Sequence, residues 1–134
     1  MADPKTPQSC EDPPTSGDPK YNSVMPERPD VLKGTTPRIR TGCVWMYPTI
    51  NFTPDGRPVE VFARLGKAGG CASSQCEAIG RLTSAMLRFG MPVEIIIDQL
   101  QGICCSSGGG EEKRSCADAI AYVLRVHATK EAKP

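Results

Sequence analysis

The chain has 134 residues, 23% of them charged, with a formal net charge of +1, thirteen prolines and seven cysteines. That length suits one domain burying roughly two-thirds of its unfolded surface, and the near-neutral balance offers neither a basic stripe for nucleic acid nor an acidic tail. No run of eighteen apolar residues exists to span a membrane, and the opening MADPKTPQSCEDPP lacks the apolar stretch of a secretory signal.

The expected compartment is therefore the reducing cytoplasm. An odd number of cysteines there points to metal ligation or thiol chemistry rather than a disulfide framework.

Residues 1–38 hold most of the prolines, and their large apolar residues are few: Tyr21, Val24, Met25, Val31 and Leu32. Proline removes backbone donors and little apolar surface can be buried, so an extended or disordered arm is expected, followed by a folded unit over 39–134. The small basic cluster Lys33, Arg38 and Arg40 reads as a solvated linker.

A strand is predicted over 39–52. Cys43, Trp45, Tyr47 and Thr49 share one face, and Val44, Met46, Ile50 and Phe52 the other. Pro48 cannot donate to a ladder, which predicts an edge strand or a break there. Thr53-Pro54-Asp55-Gly56-Arg57-Pro58 is turn chemistry. A second strand over 59–65 completes a hairpin, with Val59, Val61, Ala63 and Leu65 on one side.

Gly66, Lys67, Gly69 and Gly70 form a glycine loop between this strand and a helix, which invites an anion-binding reading. Lys67 stands too early for a phosphate loop, and the competing reading is a tight turn that presents Cys71. The helix that follows has Ser73 or Ser74 as its cap, with Glu77 completing a capping box. Its stripe at 75, 78, 79, 82, 85, 86 and 89 is apolar except for Gln75, and Gly90 ends it.

A short helix from Pro92 to Gly102 turns Val93, Ile96, Ile97 and Leu100 inward. A glycine- and serine-rich loop leads to a last helix capped by Ser115. That helix runs to about Thr129, with Ala117, Ile120, Ala121 and Leu124 on its apolar face. The predicted class is α+β: a β-hairpin packed against two or three helices, with an extended Pro-rich N-terminal arm.

Cys43, Cys71, Cys105 and Cys116 each sit at a junction between elements. Cys71 and Cys116 fall at helix N-termini, where partial positive charge favours thiolate over thiol. Four thiolates suit tetrahedral zinc or an iron–sulfur cluster. The spacing contains no C-x-x-C knuckle and leaves a metal site and inert buried cysteines both open. Cys10 reads as an exposed thiol of the arm, Cys76 as a small helix residue and Cys104 as a bystander able to substitute for its neighbour. The single histidine, His127, and the scattered Glu60, Glu77, Glu94 and Asp98 offer no catalytic set.

Several stretches carry a resemblance: RPDVLKGTT at 28–36, TGC at 41–43, GKAGGCAS at 66–73, EAIGRL at 77–82, QLQGI at 99–103 and SCADAI at 115–120. Together they resemble the C-terminal TSCPD domain of adenosylcobalamin-dependent (class II) ribonucleotide reductases. The resemblance implies that Cys43, Cys71, Cys105 and Cys116 share one metal centre, zinc ahead of an iron–sulfur cluster. Lys67 and Asp118 lie in matching motifs without an evident chemical role. The reductase barrel and its catalytic cysteines have no counterpart in these residues, so turnover by this chain alone is not expected.

Two functions follow as expectations. One is an accessory metal-binding module, related to deoxyribonucleotide synthesis, that docks on a larger protein (a reductase or a nucleic-acid-linked partner). The other is a redox module working through a dithiol such as Cys104 and Cys105, or through an iron–sulfur centre.

Overall fold

A computed structural model describes residues 24–66, 70–107 and 113–129. Its elements are β1 (Lys33–Thr35), β2 (Ile39–Arg40), β3 (Trp45–Phe52), β4 (Pro58–Leu65), α1 (Gly70–Arg88), α2 (Val93–Leu100) and α3 (Cys116–Ala128). The class is α+β, a small antiparallel sheet carrying three helices.

Strand β3 is the centre of the sheet. β4 pairs along one side of it, while β1 and β2 share the other, opposite Ile50–Phe52 and Trp45–Met46 respectively. This corrects the expectation that Pro48 would make an edge or a break. Val61, opposite Ile50, directs its N–H away from β3 to Ser84 Oγ. By two-residue alternation the nitrogen of Pro48, opposite Ala63, also points away from β4. It falls in the gap between the β1 and β2 pairings, where no ladder bond is required.

The predicted strand over 39–52 is instead interrupted at 41–44. Buried Thr41 donates its hydroxyl to the Val44 carbonyl at 2.6 Å and accepts from the Val44 N–H at 3.1 Å. These local bonds compete with strand pairing and turn the chain.

The inward face of the sheet carries Met46, Ile50 and Val61, which join Ile96, Ile120 and Leu124 in one cluster under α2 and α3. The predicted apolar face of α3 is fully buried, and Ser115 caps the helix as expected. Gly90, at φ 91°, closes α1 with the Gly90 N–H on Leu87 O and the Met91 N–H on Met86 O, a Schellman pattern.

Helix α1 departs from its predicted form in two ways. It begins at Gly70, so Ser73 and Ser74 lie inside it, and the Ser74 hydroxyl donates to Cys71 O. Its buried line is Cys76, Gly80, Thr83 and Leu87. Of the predicted stripe, Ile79 and Met86 flank the core, but Leu82 is 66% exposed and Phe89 40%. Contact with β4 is made through small residues. A Cβ on Gly80 would lie 3.0 Å from Val61 O, and Ser84 Oγ bonds both the N–H and the carbonyl of Val61. Close approach to the strand outweighs apolar periodicity there.

The described part of the arm is extended and anchored. β1 lies within it, Arg88 donates to Pro26 O, and Arg28 forks onto Glu60 at 2.8 and 2.9 Å. Glu60, 4% exposed, also accepts from Asn51 at 2.6 Å. The Arg28 guanidinium, aided by Asn51 and opposed by burial, holds the Glu60 carboxyl below the usual carboxylate range. A folded pKa below the unfolded value stabilises the protein above the unfolded pKa, about 4.3, and that contribution drains as pH falls through the lowered folded value. Glu60→Gln should therefore flatten the acid limb of stability, measured as the denaturation midpoint between neutral and acid pH. An unchanged acid limb would assign the acid sensitivity to other carboxylates.

Candidate functional site

Four stretches of chain meet at the start of α3. The Gly42 N–H donates to Arg114 O at 3.0 Å, and Thr41 and Arg114 form a parallel bridge, which brings the Cys43 turn alongside. The Ser115 hydroxyl donates to Ile103 O, tying down the segment that leads to Cys104 and Cys105. From α1, the buried Cys76 thiol contacts Cys116, and Cys71 lies in the first turn of that same helix.

The junction is held by a network of side-chain hydrogen bonds. Ser115 Oγ accepts the Asp118 N–H at 3.1 Å as the helix cap. Asp118, for which the sequence suggested no role, is a clamp: one oxygen accepts the Gly102 N–H at 2.8 Å and the other pairs with Arg114 at 3.0 Å. Arg114 also stacks over the Tyr122 ring at 4.2 Å. Ser115→Ala removes a cap and a loop tether together. It should cost about 1–2 kcal/mol in urea denaturation at unchanged m.

Cys43, Cys71, Cys104 and Cys105 are exposed, Cys116 is half-buried and Cys76 is buried. Cys104 Sγ lies 3.4 Å from Gly102 O. The Cys76 thiol donates to Cys116 and lowers its pKa to about 7, against burial, which raises it. The same bond, with burial, pushes the Cys76 thiol strongly up. Of the pair, Cys116 is the sulfur that loses its proton more readily. The sequence left Cys76 aside as a small helix residue; the fold buries it on α1 and brings it against Cys116 of α3.

Cys43, Cys71, Cys105 and Cys116 together would have the donor chemistry of a zinc or iron–sulfur site. Among the described residues, Cys76 and Cys116 are side-chain partners. Among the described residues no three His, Cys, Asp or Glu side chains are grouped so as to hold a metal ion. Of the suggested anion loop, Gly66 and Gly70 are described; Lys67 and Gly69 lie outside the described residues, as does Cys10. No helix among the described residues is long and apolar enough to cross a membrane.

The TSCPD domain family matches residues 19–128. A vitamin B12-dependent ribonucleotide reductase of Rhodopirellula baltica is 27% identical over 79 residues, covering 59% of this chain and 8% of the reductase. The chain therefore corresponds to a small fraction of that relative's length. No solved structure matches it. With the family match extending over most of its length, from before β1 to the end of α3, the chain belongs to the TSCPD domain family.

Proposed function

We propose that this TSCPD chain is an accessory module that binds one zinc ion through Cys43, Cys71, Cys105 and Cys116 and docks on a ribonucleotide reductase in the cytoplasm. The observation that supports the reading is that the turn carrying Cys43 and the segment leading to Cys105 are both hydrogen-bonded to residues 114–115, next to Cys116, while α1, which begins beside Cys71, reaches Cys116 through Cys76. Bound zinc would supply a cross-link between the β2–β3 turn, the N-termini of α1 and α3 and the α2–α3 loop, contributing folding energy rather than a reaction. The thiolate character of Cys116 eases proton loss on metal uptake. Relation to the B12-dependent reductase supports the choice of partner.

The test is elemental analysis and absorption spectroscopy of the purified full chain. One colourless zinc per chain is expected. A brown protein would replace zinc with an iron–sulfur centre.

A second reading rests on the Cys76–Cys116 contact: a dithiol that closes to a disulfide, giving two electrons and two protons to an oxidised partner. It predicts a metal-free chain that loses two hydrogens in mass under mild oxidation, with the bridge mapping to these two residues.

A further inference from the structure

Alternation along β3 and β4 divides the sheet into two faces. One packs under the helices. The other presents Trp45 and Tyr47 from β3 and, by register, Phe62 opposite Thr49 and Arg64 opposite Tyr47. The three rings are 38%, 38% and 52% exposed. Arg38 and Arg40, read from sequence as part of a solvated linker, place their guanidinium groups 4.3 and 5.4 Å from the Trp45 ring centroid. Folding thus gathers on one sheet face three aromatic side chains and three arginines that are far apart in the chain.

We propose that this face binds single-stranded nucleic acid, the bases stacking on Tyr47, on Phe62 and on the guanidinium planes laid over Trp45, and the phosphates pairing with Arg38, Arg40 and Arg64. A π surface accepts any unstacked base, and interleaved arginines supply both charge and further stacking planes. Trp45 and Tyr47 alternate along one strand, about 7 Å apart, a separation that suits successive bases of an extended strand. Glu60, the acid on this face, is already neutralised by its fork with Arg28, so the local field is positive. A groove of about 820 Å³ between β4 and α1 has Phe62 and Arg64 in its lining, continuous with this face.

A duplex hides the base faces that these rings would engage. An acidic peptide would satisfy the arginines but not three planar rings. Addition of a peptide strand to β4 is opposed by Ser84, which occupies the outward N–H and carbonyl of Val61. None of the six residues of this surface is a cysteine of the proposed zinc site.

Trp45 is the chain's single tryptophan, so its fluorescence reports the site directly. The full chain would be titrated with an oligothymidylate of about twelve nucleotides, the corresponding duplex, and polyglutamate. The single strand should quench Trp45, with log affinity falling against log salt at a slope of about −2, as three phosphate contacts require. Phe62→Ala should weaken binding roughly tenfold, and Arg64→Glu should weaken it and flatten the salt slope. Both residues are exposed, so circular dichroism of each variant should match the parent. Absence of quenching, equal binding of duplex or polyglutamate, or affinity indifferent to both variants would each overturn the proposal.

Discussion

Leu87→Ala is expected to cost about 3 kcal/mol, while Leu82→Ala, five residues earlier in the same helix, changes stability by no more than about 0.5 kcal/mol. Leu87 is 2% exposed and belongs to the main core cluster; Leu82 is 66% exposed. The two substitutions remove the same atoms and make the same small change in helix propensity, so the difference isolates burial. At Leu87 the loss combines transfer free energy with the cavity left beneath α1. For a domain of this size about 3 kcal/mol corresponds to a fall in Tm on the order of 10–20 °C. Paired thermal melts of the two variants measure it. Comparable losses at both positions would mean that α1 is rotated relative to the packing described here.

That pair also marks where the sequence could be read and where it could not. In α3 the apolar residues Ala117, Ile120, Ala121 and Leu124 are large or well-spaced enough to define the buried face, and Ser115 is a cap by side-chain chemistry alone. The hairpin turn is likewise written in residues that preset backbone angles, and Gly56 takes its φ of 87° there.

Helix α1 is different because its buried line is chosen by fit against a strand edge. Gly80 and Ser84 carry little hydrophobic signal, yet they make the contact, and Ile79 and Met86 are left on the flanks of the core. Pro48 misleads for a related reason. A local rule about missing donors cannot anticipate that β1 and β2 would divide one side of β3 and leave a gap at that residue. At the cysteine centre the sequence motifs named the junctions. The partnership of Cys76 with Cys116 and the clamp made by Asp118 depend on how distant segments meet at the start of α3.

Serine substitutions at the cysteines should separate the two readings of that centre. Cys116→Ser is expected to abolish stoichiometric metal under the zinc reading and oxidative closure under the dithiol reading, since this sulfur belongs to both. The deciding variants are Cys43→Ser and Cys76→Ser. If four thiolates hold zinc, Cys43→Ser lowers metal occupancy by orders of magnitude, because a structural site worth on the order of 10 kcal/mol loses one of its four bonds. Cys76→Ser would then retain the metal, and chelation of the parent chain would lower its Tm, as expected when metal binding is coupled to folding. If instead the working pair is the dithiol, Cys76→Ser prevents bridge formation, Cys43→Ser has no effect on it, and chelators leave Tm unchanged. Metal content, intact mass before and after oxidation, and Tm with and without chelator, measured on the parent and these three variants, assign the centre to one chemistry or the other. The zinc proposal does not survive a metal-free parent chain whose Tm ignores added zinc.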